Sequence, residues 1–313
     1  VFEQQTKLSQ SSIQVTQAEV VRNIKQAYYN YLYTQEKINL LLYLDSLYKD
    51  FFNKADVRYK AGETSNLERL TAQNSYFEVQ LQRKDAEADL RVYEAQLRQQ
   101  TNTSLINIGS IDSAAYPVEP VVLDTVTAQN PLLRYYQQNV ALAQSRVALE
   151  RTKRLPDFSL GYYHQFVWKG FDPAGINRKY FPGTRMGGFE VGVSLPLFGT
   201  KAFKSRVQAE QIASNIAQTE LAAAQWQINS EAQQAFEQYQ KHRERVTFYQ
   251  TNGISVANEQ IRVSRFAFSK GEISYVELVQ NLTQAAQTKL QYLEALRLLN
   301  DAAININYLK GIQ

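Results

Sequence analysis

The 313-residue sequence is 44% hydrophobic and 20% charged, the composition of a folded chain rather than a disordered one. With 34 Lys and Arg against 30 Asp and Glu, a formal charge of +4 and no basic run, it carries no nucleic-acid footprint. Cysteine is absent, which removes disulfide frameworks, thiolate zinc sites and cysteine nucleophiles.

Seven prolines and thirteen glycines are few for this length, and most of both lie between Gly109 and Gly199. The flanking stretches are poor in breakers, which favours long helices. The opening "VFEQQTKLSQSS" has no basic start followed by an apolar core, and no run approaches the ~18 apolar residues of a spanning helix. Either a soluble protein, or one that enters a membrane as β-structure after losing its signal, fits these facts.

From about Ser11 to Tyr59, apolar residues recur at helical spacing without a proline or glycine. Such a helix extends for roughly 70 Å, more than one compact core requires. Gly62 fits the left-handed residue that closes it. Ser65 followed by Glu68 reads as a capping box opening a second helix, from Asn66 to about Gln99. Residues 101 to 130, with Gly109, Pro117 and Pro120, read as an irregular connector. A helix restarts near Asn130, with Pro131 in its first turn, and runs until Pro156 stops it.

There the period changes from helical to two. In "DFSLGYYHQFVW", Phe158, Leu160, Tyr162, His164, Phe166 and Trp168 share one face, while the other is mostly small or polar. After a loop rich in Gly, Pro and charge, "GFEVGVSLPLF" alternates again, with Phe189, Val191, Val193 and Leu195 on one side. Two such strands predict a β-hairpin over 157–198 with one apolar face; a half-buried soluble hairpin alternates in the same way. From Thr200 to Phe268 the chain returns to helix with Gly253 as a weak breaker, and meets a second turn at Gly271. Ser274 and Glu277 repeat the capping pattern before a last helix from Tyr275 to about Leu309.

The two turns are written alike. Superposing Gly62 on Gly271, an offset of 209 residues, brings Glu63 onto Glu272, Ser65 onto Ser274 and Glu68 onto Glu277. Upstream, Ala27 and Tyr28 lie opposite Ala235 and Phe236 at an offset one residue smaller. Any helix end followed by a capped helix chooses Gly, Ser and Glu, so the upstream match is what favours a duplicated unit. Residues 1–100 then form the second half of a first repeat, 101–130 the connector, and 131–313 a complete second repeat. An equal first repeat requires a helix and a β-hairpin before Val1, so the sequence reads as an N-terminally truncated fragment.

In this order, helix, two-stranded hairpin and long tip-turned helix pair, the chain resembles the TolC-like outer-membrane efflux proteins. "NPLLRYYQQNVALAQSRVALERTKRLPDFSLG" (130–161), "GVSLPLFG" (192–199) and the two tip turns carry the resemblance. It implies a mainly α fold of very long antiparallel helical hairpins, the protomer of an α-barrel, with one β-hairpin contributing to a membrane β-barrel. It further implies a homotrimer in the Gram-negative outer membrane, with its helices in the periplasm, a periplasmic adaptor and an inner-membrane pump as partners, and outer-membrane lipid around the strands. One hairpin per chain gives three chains six strands, short of the family's twelve-stranded barrel. The implied function is passive export of small molecules or metal ions; a periplasmic adaptor or helical-hairpin scaffold is the alternative, although an adaptor should also show compact β domains.

The resemblance assigns contact with the adaptor to the tips, Gly62, Glu63, Ser65, Gly271, Glu272 and Ser274. Contact with lipid falls to Phe158, Leu160, Tyr162, Phe166, Trp168, Phe189, Val191, Val193 and Leu195. Trp168 and the Tyr180-Phe181 pair mark either an aromatic belt or loop anchors. The helices are rich in Ala, Gln, Ser and Asn rather than in Leu heptads, which suits side-by-side packing with one wet face, or an ordinary bundle. No catalytic constellation is present: His164 and His242 are far apart and no nucleophile or phosphate-loop motif occurs, so neither an enzyme nor a cofactor is expected.

Overall fold

The structure is a computed structural model describing residues 1–103, 129–167, 184–195 and 200–311. Trp168, Tyr180, Phe181, most of the connector and Pro196 to Gly199 lie outside the described residues. The elements, in chain order, are α1 (Phe2–Lys60), α2 (Asn66–Thr101), α3 (Pro131–Thr152), β1 (Asp157–Val167), β2 (Thr184–Ser194), α4 (Thr200–Phe248), a π-helical segment (Tyr249–Gly253), α5 (Ile254–Lys270) and α6 (Tyr275–Lys310). The mainly α class, with a single antiparallel strand pair among the described residues, is therefore as expected. No helix among the described residues is long and apolar enough to cross a membrane.

Two compact units divide the chain. One comprises Val1–Leu8 and Tyr136–Leu221, the other Ser9–Tyr135 and Ala222–Gln313. In the first, α3 buries Leu142, Ala143 and Val147, α4 buries Ser214 and Ala217, and Gln138 hydrogen-bonds Gln4 of α1. This unit carries the β-hairpin, whose strands pair in antiparallel register from Asp157 with Ser194 to Val167 with Thr184. The second strand thus begins four residues before Gly188 and ends at Ser194, earlier than its alternation suggests. Leu195 lies one residue beyond it, before Pro196, which has no N–H to extend a ladder.

The second unit holds both helical hairpins. Cross-contacts step evenly away from each turn, the signature of antiparallel neighbours. In α1 and α2 they run from Asp56–Arg69 (4.0 Å) through stacked Phe52 and Tyr76 (6.1 Å) to Asp45–Arg83 (3.9 Å). Along the other pair they run from Phe268–Tyr275 (6.0 Å) through Gln260–Gln284 (3.4 Å) to the Tyr249–Gln291 hydrogen bond (3.0 Å). A shared core joins the two hairpins: Leu41, Leu44, Leu47 and Phe51 of α1, Ala72, Val79 and Ala86 of α2, Ile261 of α5, and Leu278, Leu282 and Ala285 of α6. Small residues on α2 and α6 let their backbones approach, which is why the Ala-rich composition still gives a packed core.

Two local features depart from the sequence reading. The helix expected from Thr200 to Phe268 widens to i→i+5 bonding at Tyr249–Gly253. There a Cβ on Gly253 would stand 2.7 Å from Tyr249 Cδ1, so the glycine makes room for a ring rather than breaking the helix. Second, Asn130 is 3% exposed and serves two helices at once. Its Oδ1 accepts from the N–H groups of Leu132 (2.8 Å) and Leu133 (3.4 Å), capping α3, while Nδ2 donates to the Leu309 carbonyl (2.9 Å) near the end of α6. Side-chain capping at the one end and a satisfied carbonyl at the other dispose of groups that helix termini leave unpaired.

Candidate functional site

The tips repeat each other closely in backbone. Gly62 and Gly271 adopt φ of 76° and 75°, the left-handed region. Gly62 N–H donates to Tyr59 O and Glu63 N–H to Arg58 O, at 3.0 and 2.9 Å; Gly271 to Phe268 O and Glu272 to Ala267 O match at 3.0 and 2.9 Å. These paired bonds are the left-handed helix stop that a glycine permits. Ser65 and Ser274 then cap the following helices, each accepting from the glutamate N–H three residues on at 3.2 Å. Gly62, Glu63, Ser65, Gly271, Glu272 and Ser274 are all exposed.

In side chains the tips differ. At the second, the Glu277 carboxylate returns to the Ser274 N–H at 2.7 Å and completes a capping box, and this bond holds the carboxyl below its usual range. At the first, the expected box is only half made. The Glu68 carboxylate turns instead to the Thr64 hydroxyl and to Arg58 (3.4 Å), because both groups are within reach there. Arg58 also faces Glu63 (3.8 Å), and Asp56 lies between Lys60 (2.6 Å) and Arg69 (4.0 Å). The first tip is thus laced with ion pairs between exposed and half-buried side chains, each a weak interaction. The second is underpinned by rings: Phe51 of α1 meets Phe268 (6.4 Å) and Tyr275 (6.3 Å) edge to face.

On the hairpin, one face is mostly apolar and uncovered, with His164 and Arg185 as its polar members near the end where Val167 pairs with Thr184. Phe158, Leu160, Phe189 and Val191 are 75–79% exposed, and Tyr162, Phe166 and Val193 lie beside them, also exposed. Register pairs Phe158 with Val193, Leu160 with Val191 and Tyr162 with Phe189, so the patch is continuous. Contiguous exposed apolar faces mark contact with a membrane or a partner. The opposite face carries Ser159, Gly161, Tyr163, Gln165, Gly188, Glu190 and Gly192, with Tyr163 lying flat over Gly188. Each strand has 11 residues, about what a tilted strand needs to cross the hydrocarbon of a bilayer. His164, on the apolar face, pairs with Gly187 toward the loop end, and Arg185 lies over the Phe166 ring at 5.8 Å.

Elsewhere, polar groups converge structurally. Arg297 of α6 binds Glu294 (2.6 Å) and Asp301 (3.0 Å) and lies over the Tyr33 ring of α1. Arg297 holds the Glu294 carboxyl low, whereas burial pushes Asp301 and the phenols of Tyr33 and Tyr93 up. His242 of α4 is buried with Nδ1 unbonded, and burial together with Lys241 and Arg245 lowers its pKa. Sequence reasoning missed this cluster, because Tyr33, Tyr93 and His242 are far in sequence from the Glu294, Arg297 and Asp301 triplet of α6 that they meet. Among the described residues no group of His, Asp and Glu is placed to hold a metal. A groove of about 560 Å³ lined by Arg22, Ser230, Glu231, Gln234, Glu237 and Tyr308 is open to solvent.

Comparison with known proteins gives the following. A family model described as outer membrane efflux protein matches residues 122–311, more than half of the chain. No curated protein matches the sequence. Among solved structures, the CmeC outer membrane channel of Campylobacter jejuni superposes with a TM-score of 0.82 at 16% identity, over 99% of this chain and 66% of that one. A membrane protein from Pseudomonas aeruginosa gives 0.82 at 12% identity, over 98% and 69%. The open state of the MtrE outer membrane channel of Neisseria gonorrhoeae gives 0.81 at 12%, over 97% and 68%. The chain therefore spans about two thirds of the length of these structures, and the likeness establishes the fold.

Proposed function

The chain belongs to the outer membrane efflux protein family, and from that premise we propose that it is the conduit-forming part of an outer-membrane channel in a tripartite efflux system. It performs no chemistry: small molecules or metal ions pass through it, driven by an inner-membrane pump to which a periplasmic adaptor connects it. The intact protein is a homotrimer whose hairpins lie in the outer membrane and whose helices stand in the periplasm. The observation that carries this reading is the continuous exposed apolar face of the hairpin beside a polar face, joined to helical hairpins too long for a compact core. A backbone can cross hydrocarbon as β-structure only in a closed barrel, which requires more strands than this pair. Lipid then meets Phe158, Leu160, Tyr162, Phe166, Phe189, Val191 and Val193, and Leu195 stands at its border.

The tips are the proposed adaptor contact: Gly62, Glu63, Ser65, Gly271, Glu272 and Ser274. Their matched backbone and exposure support this, and also support their origin as two copies of one unit. Proline cannot adopt φ near 75°, so Gly62→Pro and Gly271→Pro disrupt the turns while leaving the helices elsewhere intact. Cells depending on the intact protein should lose export of a fluorescent substrate or metal ion with either variant, at unchanged protein level, outer-membrane location and helix content. Unimpaired export by both would remove the tips from the mechanism.

A further inference from the structure

The hairpin's open end, where Asp157 pairs with Ser194, is bracketed by basic residues. Arg151 lies at the end of α3 and Arg154 just beyond it, and Lys201 and Lys204 open α4. All four are exposed, and none makes an ion pair with a described residue. By contrast, Lys153 pairs with Glu150. Arg151 is where a helix dipole favours a cation, and needs no further explanation. Lys201 and Lys204 are not: they sit at the positive end of α4, whose first turn has no acidic residue to offset them. Uncompensated cations at a helix start run against local electrostatics, and such conflicts commonly mark function. The apolar face begins at Phe158, immediately beyond this basic border.

We propose that Arg151, Arg154, Lys201 and Lys204 form a collar that binds the phosphate headgroups of anionic glycerophospholipids in the leaflet adjoining the helices, fixing the depth at which the hairpin sits. This rests on the reading of the hairpin as membrane-embedded. Each cation close to an anionic surface strengthens association by roughly fivefold, an effect that salt weakens. The opposing acidic groups are few: Glu150 is engaged by Lys153, leaving Asp157 at the strand start.

The test uses the intact protein in neutral detergent, with retention of dioleoyl-phosphatidylglycerol and dioleoyl-phosphatidylcholine measured by native mass spectrometry. The parent should retain phosphatidylglycerol in preference. A variant carrying Arg151→Gln, Arg154→Gln, Lys201→Gln and Lys204→Gln should lose that preference altogether, while Arg151→Lys with Arg154→Lys keeps it. A control with Lys84→Gln and Lys241→Gln, exposed cations in the other unit, should match the parent. Equal retention of both lipids by the parent, or an undiminished preference in the fourfold variant, overturns the collar while leaving the membrane-embedded hairpin in place. Retention of neither lipid by any form overturns both.

Discussion

Asn130 shows how much one residue settles. Its amide caps α3 with one atom and satisfies a carbonyl of α6 with the other, at 3% exposure. Asn130→Ala removes a cap and strands the Leu309 carbonyl, a combined loss on the order of 2 kcal/mol. Asn130→Asp keeps the acceptor and loses the donor, so thermal melting should place it between the two. His242 supplies the pH dependence at this scale. Its pKa is lowered in the fold from 6.5, so below 6.5 the unfolded chain takes up the proton first. Stability from this group is therefore fully present above pH 6.5 and declines as pH falls through the folded pKa. His242→Gln should flatten that decline in melts run between pH 7 and 5.

At the scale of elements, the π-helical segment is the informative case. Gly253→Ala gains roughly 1 kcal/mol in helix propensity but drives a Cβ against the Tyr249 ring, a cost of about 1–3 kcal/mol. The net change lies between neutral and about 2 kcal/mol destabilising, and the distinguishing result is local. The Tyr249 hydroxyl leaves Gln291, and amide exchange rises across 249–253 relative to the rest of α5. The sequence showed Gly253 only as a weak breaker, because the i→i+5 widening depends on Tyr249 packing toward α6, a contact 42 residues distant. The helix ends were legible for the opposite reason. Gly62, Ser65, Gly271 and Ser274 act on their own backbone, and they stand where local chemistry puts them. Glu68 and Glu277 occupy the same place in the pattern, yet only Glu277 closes a box, because Arg58 and Thr64 claim Glu68. The strands were legible by their period of two; their ends shifted because alternation continues through Leu195 after pairing has stopped.

For the whole molecule, the apolar face of the hairpin is the feature that a soluble protein does not explain and an outer-membrane conduit does. The family and the fold agree with that environment, and the tips and the basic border acquire roles only if the hairpin is embedded. The 313 residues contain no cysteine, so single cysteines introduced along both strands of the intact protein can be followed in its native membrane against the background of the parent protein. The most direct measurement is their reaction with a water-soluble maleimide, beside quenching of attached fluorophores by a lipid-dissolved nitroxide. Phe158, Leu160, Phe189 and Val191 should be quenched and slow to react, and Ser159, Gln165 and Glu190 should react quickly without quenching. Rapid reaction at every position, with no alternation between the faces, would contradict the account.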